Sequence, residues 1–321
     1  MLGAGLTLLL ALALIGCGED SPPRPSGPLA DALSEIGGGG EHGSLGVGWS
    51  EPAQARQAGI PPRLIGRALA PNAESVVEAR AVLRRRFGVD PLSAQRLVSV
   101  GGSYAFGLRL DGVDGAGLRD ALVRAGGHVK NGDGVELVDV GPYAQVPEPL
   151  LSAGVFGLGA RDAFGPSSAV LAISLTSRAA LLGHGGRLIE QPLYRAAADC
   201  LGDVVAARMI PDKLLISTEV GVELIAMGIA HGREILCVLG GTEDREREVA
   251  ANLRVSLAPG ARDPRTDTPV AAEVRAPNVE TSTYEGVEVV RATVTPVGGT
   301  PRGFFFSTIG RGSLVQMING Q

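Results

Sequence analysis

The sequence predicts an α+β protein: two diverged ββαββ-type units with mainly antiparallel sheets, plus an N-terminal helical region. Three observations predict it. Short apolar runs with strand-like alternation turn at glycines in both halves, and each half then carries a helix with a polar start and a glycine after its end. The pattern Gly134–Val138 ("GVELV") also returns as Gly286–Val290 ("GVEVV"), 287 − 135 = 152 positions later. A polar insertion around Arg262 to Thr283 makes that offset larger than the one between the hairpins. Repeated hairpins joined through a helix are the pattern of an antiparallel α+β fold.

Composition allows a real core and narrows the partners. The 321 residues are 45% hydrophobic, enough for one large domain or two modest ones. Net charge of −5 and the lack of an evident basic patch argue against a nucleic-acid partner. Arg84, Arg85 and Arg86 fall at the end of an expected helix, where cations suit the dipole. Lysine occurs only at Lys130 and Lys213, which, with abundant Ala and Gly, suggests a GC-rich coding genome. Aromatic content of 4% leaves little for a base- or sugar-stacking platform. Trp49 and Phe304–Phe306 lie in strand-like contexts and are expected in the core.

The first element is a leader. Leu6–Ile15, "LTLLLALALI", matches the length of a secretory apolar core and is shorter than the ~20 residues a bilayer span needs. Leu14-Ile15-Gly16-Cys17 resembles the bacterial lipobox. The resemblance implies that Cys17 takes a diacylglyceryl group, that residues 1–16 are removed, and that the protein sits lipid-anchored on the extracytoplasmic face of the cell membrane. One departure is that "MLGAGL" carries no Lys or Arg, and a basic stretch encoded upstream would account for it. With Cys17 acylated, Cys200 and Cys237 remain, either as a disulfide or as two buried thiols.

From residue 17 to 43 the Pro-rich then Gly-rich composition reads as a tether, with a short helical turn at "ADALSEI". The first α+β unit is expected over 44–202. It opens with the strand "SLGVGWS" and a helical insertion whose last member runs from a cap at Asn72 to a stop at Gly88. A hairpin turning at Gly101-Gly102 follows, then a helix starting near Asp114, a strand after Asn131-Gly132, the strand "SAVLAISL" and two helices. The second unit, 203–321, repeats the order. It has a hairpin turning at His231-Gly232, a helix opened by Thr242, Glu243 and Asp244, the strand "GVEVVRATV" and closing strands in "RGFFFSTIGRGSLVQMI".

Through "SVGGSYAFGLRLDGVDGAGLRDAL", "PLYRAAADCLGDVVAARM" and "GFFFSTIGRGSL", the mature chain resembles uncharacterised secreted lipoproteins of high-GC Gram-positive-type bacteria. That resemblance implies an envelope location and no particular activity.

Chemistry-bearing motifs are scarce. Gly38–Gly43 fits G-x-G-x-x-G but precedes a strand instead of following one, so it fails the dinucleotide context. No Ser lies in G-x-S-x-G, and neither Lys follows P-loop glycines. His42, His128, His184 and His231 are far apart, without metal-ligand spacing. Asp111 and Asp114 do not fit a calcium loop, and Asp114 reads as a helix cap. The expected function is therefore non-enzymatic binding or scaffolding by a lipid-anchored envelope protein, with no cofactor and no metal. The partners implied are the membrane, through the anchor, and an envelope protein. The alternative is a carrier of a small apolar or lipid ligand, and a hydrolase whose triad assembles only in three dimensions ranks third.

Overall fold

The structure is a computed structural model, and it describes residues 26–38, 45–69, 73–101, 106–132, 135–139, 162–215, 220–299 and 301–321. In chain order these form α1 (Pro28–Glu35), β1 (Gly46–Ser50), α2 (Pro52–Gln57), α3 (Pro62–Ala68), α4 (Ala73–Glu78), α5 (Arg80–Phe87), β2 (Arg96–Gly101), β3 (Phe106–Asp111) and α6 (Gly115–Arg124). There follow β4 (His128–Gly132), β5 (Val135–Asp139), β6 (Asp162–Gly165), β7 (Ser168–Ala172), α7 (Leu175–Leu181), α8 (Pro192–Leu201) and β8 (Ala206–Pro211). The chain ends with β9 (Leu224–Ala230), β10 (Arg233–Leu239), α9 (Glu243–Ser256), β11 (Val274–Tyr284), β12 (Val287–Pro296), α10 (Phe304–Arg311) and α11 (Ser313–Asn319).

These elements make an α+β fold around one sheet. Twelve strands run in the order β11-β12-β10-β9-β8-β1-β2-β3-β7-β6-β5-β4, and the neighbouring strands pair antiparallel. The boundary expected at 202/203 falls in the turn between α8 and β8, yet the sheet continues through it. β8 pairs with β1 from Val47↔Met209 to Ser50↔Ala206.

Helices cover both faces. One core holds Leu64, Val77, Phe87, Leu118, Leu253 and Phe304, from α3, α4, α5, α6, α9 and α10. The opposite core holds Leu33, Trp49, Leu181, Tyr194 and Cys237, with α1, α7 and α8 over it. With both faces buried, the central strands are apolar throughout: every residue of β9, "LIAMGIA", is buried. Trp49, Tyr194, Phe106, Phe304 and Phe305 are among the largest fully buried side chains.

Local signals set the element limits. Asp114 Oδ1 accepts from Gly117 N at 2.8 Å to start α6, and Thr242 Oγ1 accepts from Arg245 N at 3.3 Å to start α9. These caps lie 242 − 114 = 128 positions apart, and so do the first residues of β2 and β9, 224 − 96 = 128. The β9–β10 turn is His231-Gly232, with Gly232 at φ 71°, where a side chain would be strained. At one edge of the sheet β11 is mostly exposed, and a bulge between Arg275 and Asn278, carrying Pro277, blunts its pairing.

Several expectations are corrected. The closing strands are helices α10 and α11, joined at Gly312 with φ 77°. The "GVELV" and "GVEVV" segments do not occupy matching places. β12 adjoins β10, whereas β5 is separated from β3 by β7 and β6. Alternation marks a half-buried strand without saying which neighbour it pairs with. Val274–Tyr284, expected within a polar insertion, is edge strand β11. The helix expected from Asn72 to Gly88 breaks at Ala79 into α4 and α5, and Asn72 lies outside the described residues. The tether expected over 17–43 contains a packed helix, since Leu29, Leu33 and Ile36 of the α1 segment are at most 3% exposed. Apolar residues at i, i+4 and i+7 outweigh the flexible composition around them.

Candidate functional site

A cluster of four charged side chains joins α1 to β2 and β3. Period-two alternation sends Arg96, Arg109 and Asp111 of β2 and β3 to the face that carries α1. There Glu35, at the end of α1, receives Arg96 Nη2 at 2.5 Å and Arg109 Nη2 at 2.9 Å. Asp111 accepts Arg96 Nε at 2.8 Å and Arg109 Nε at 2.7 Å. Burial alone would lower the Arg96 guanidinium, but the bonds and charge of Glu35 and Asp111 outweigh it and hold the group more firmly protonated. The four groups are engaged with one another, so the network latches α1 to the sheet. Replacing Arg96 by alanine should cost roughly 2 kcal/mol, below the 3–5 of a fully buried pair because Glu35 is partly exposed. Hydrogen exchange should rise in α1 first; exchange unchanged there would dismiss the latch.

Glu51 lies beside this network, just past β1. Its Oε2 is buried without a hydrogen-bond partner. Burial pushes its carboxyl up, Arg96 pulls it down and Asp203 pushes it up again, leaving it raised. Its backbone N–H donates to Val205 O at 3.1 Å across the β1–β8 joint. Arg208 points to the opposite face from β8, donates from Nη1 to Arg67 O at 3.3 Å near the end of α3, and is lowered to about 10 by burial.

Two buried acids fix the C-terminal helices. Glu234 of β10 is 1% exposed, and its Oε1 accepts from Arg302 N and Gly303 N at 3.1 and 2.9 Å, ahead of α10. Burial raises that carboxyl against the pull of those donors. Asp263 accepts from Arg265 N, Thr266 N, Ser313 Oγ and Arg311 Nη2, all within 3.0 Å. Burial pushes it up, but these bonds win and hold it at about 2.

A pair of a different kind joins α9 to β12. Glu246, 8% exposed, hydrogen-bonds to Glu288 and is raised to about 7, first by burial, then by that bond and the charges of Glu288 and Glu243. Arg247 pulls it down. Thr283 Oγ1 donates to Glu288 Oε2 at 3.1 Å.

The sequence-expected residues fall as follows. Cys17, the lipobox and His42 lie outside the described residues. Cys200 and Cys237 form a disulfide between α8 and β10, with Cα atoms 6.3 Å apart. His128, His184 and His231 stand exposed on β4, after α7 and in the β9–β10 turn, in three separate places. Among the described residues no group of three or more His, Cys, Asp or Glu is placed to hold a metal ion. No helix among them is long and apolar enough to cross a membrane. The latch escaped sequence reading because its members spread over 111 − 35 = 76 positions. The available signal was a charged residue at the end of an otherwise apolar strand, in "RLVSV" and "LRLD". No protein-family model, curated protein or solved structure matches the chain.

Proposed function

We propose that the chain is a lipid-anchored protein of the bacterial cell envelope, tied to the membrane through Cys17 on the extracytoplasmic side, and that it works by binding or scaffolding without catalysis. The observation that carries the location is the Cys200–Cys237 bridge. Structural disulfides belong to oxidising compartments and are rare in the cytosol. The lipobox-like Leu14–Cys17 supplies the address. Two acyl chains hold a protein stably at a bilayer where one holds it only marginally.

The docked α1 shortens the tether. Ten residues, Gly18 to Gly27, separate Cys17 from Pro28 and reach at most about 35 Å. The charged groups of the central latch engage each other, and both cores carry large side chains such as Trp49 and Phe304. Both features support a partner met at the surface. We further infer that the two halves are diverged copies of one ββαββ-type unit, supported by hairpins and helix caps that recur 128 positions apart.

Fractionation of cells tests the anchor. Wild-type chain is expected with the membranes and Cys17→Ala in the soluble extracytoplasmic fraction; a Cys17→Ala chain held as firmly as the parent overturns the proposal. A native mass spectrum of the extracted protein tests the mode of action. The expected mass is the chain from Cys17 plus acyl groups, and a further mass released on activation would establish a carried ligand.

A further inference from the structure

The four helices between β1 and β2 concentrate positive charge that the chain-wide balance conceals. Residues 52–89 hold Arg56, Arg63, Arg67, Arg80, Arg84, Arg85 and Arg86 against Glu74 and Glu78, a net charge of 7 − 2 = +5. The whole chain carries −5, so the rest of it carries −5 − 5 = −10. Folding gathers the block over one face of the sheet, where α2, α3, α4 and α5 share one core.

Part of this charge has a structural use. Arg56 donates to Leu92 O, Arg67 bonds Ser307 and pairs with Glu74, and Arg86 also has a partner. The side chains of Arg63, Arg80, Arg84 and Arg85 are exposed and make no ion pair or hydrogen bond among the described residues. The macrodipole accounts for Arg84 and Arg85 in the last turn of α5. It cannot account for the other two. Arg63 is in the first turn of α3 and Arg80 opens α5, where a cation opposes the dipole. Next to α5, α6 adds Arg119 and Arg124; Arg119 is paired with Asp120 and Glu136, so this neighbour is close to balanced and leaves the charge of the block in place.

We propose that this α2–α5 face docks on an anionic lipid surface, with Arg63, Arg80, Arg84 and Arg85 meeting phosphate headgroups. The proposal rests on the lipid-anchored reading, which places such a surface within reach. α1 lies over the opposite face of the sheet, and the body is about 30 Å thick from two ~10 Å layer spacings plus the outer helix radii. The ~35 Å maximum reach from Cys17 to α1 is comparable with that thickness, so the anchor holds the body close to the membrane it is tied to. The partner is identified by charge complementarity, since each arginine near an anionic bilayer adds attraction that salt screens.

The test is flotation of the full chain carrying Cys17→Ser with phosphatidylcholine vesicles, with and without phosphatidylglycerol. The readout is the ratio of binding on anionic to neutral vesicles, which cancels any contribution of the apolar leader. A ratio of about tenfold or more at low salt is expected, falling toward unity in high salt and in Arg84→Glu/Arg85→Glu. The double reversal Arg233→Glu/Arg275→Glu, equal in charge and placed on β10 and β11, should keep the ratio. Thermal melts of all variants check that each folds. A ratio near unity for the parent overturns the proposal, as does an equal loss in both reversals. So does capture of inorganic polyphosphate without vesicle binding, which would assign the face to a soluble polyanion. The lipid anchor is judged separately by fractionation, so failure of one reading does not mimic failure of the other.

Discussion

Replacing Cys200 and Cys237 together by alanine lowers the unfolding free energy by roughly 4 kcal/mol. The bridge closes a loop of 37 positions, and the chain-entropy relation gives about −13 cal/mol/K for a loop of that length, close to 4 kcal/mol at 25 °C. Its placement adds to the effect. Cys200 is 1% and Cys237 0% exposed, so each lost sulfur leaves unfilled space between α8 and β10. β10 is flanked by β9 and β12, and α8 covers the second core, so the cross-link ties a helix to the interior of the sheet. Urea unfolding of parent and double variant at one pH measures it. A loss under 1 kcal/mol would mean that the loop is already constrained in the unfolded chain and that the bridge is dispensable. The reduced parent should fall with the variant, so a chain made in a reducing compartment is expected to be the less stable form.

Much of the fold is legible because the signals are local. Asp114 and Thr242 are the caps of α6 and α9, and Gly232 marks the two-residue turn between β9 and β10. Legibility fails where the deciding partner is distant. Phe304–Phe306 read as a strand because three consecutive aromatics suit a sheet. The segment is helical because Glu234, 69 positions earlier than Gly303, supplies an acceptor for the backbone donors that open α10. A Pro/Gly-rich window likewise showed only a short turn at "ADALSEI" where α1 is a packed helix. Its apolar residues have helical spacing, but what secures it is the bond network to Arg96 and Arg109 on strands far along the chain. Charge behaved in the same way. The net value of −5 averages a +5 block with its surroundings, and only the shared core of α2–α5 turns that block into one face.

The parent protein should be more stable at pH 5 than at pH 8, and Glu246→Gln should remove about 2–3 kcal/mol of that difference. Glu246 is raised from 4.5 to about 7 by burial and by Glu288, so the folded chain keeps a proton that the unfolded chain gives up near pH 4.5. A raised carboxyl contributes most below its unfolded value and loses that contribution as pH rises through the folded one, here between about 4.5 and 7. The interval of 7 − 4.5 = 2.5 units corresponds to about 3 kcal/mol as an upper figure, shared by the pair because one proton serves both carboxyls. Glu51, Asp199 and Glu234 are also raised by burial and slope in the same direction, so the parent's curve alone cannot assign the effect. The difference from the variant can. Glutamine donates an N–H to Glu288 at any pH, so Glu246→Gln should match the parent near pH 5 and exceed it at pH 8. Asp263 acts in the opposite sense, because its carboxyl is lowered to about 2 and its contribution disappears only below about pH 4. Urea unfolding of both chains at pH 5 and pH 8 decides the matter. Equal stabilities at pH 8 would mean that ionising Glu246 costs the fold nothing, so that its carboxyl is not raised and α9 and β12 tolerate two charges side by side. A variant more stable only at pH 8 identifies the Glu246–Glu288 contact as a proton-dependent link between the helix and the edge hairpin β11–β12.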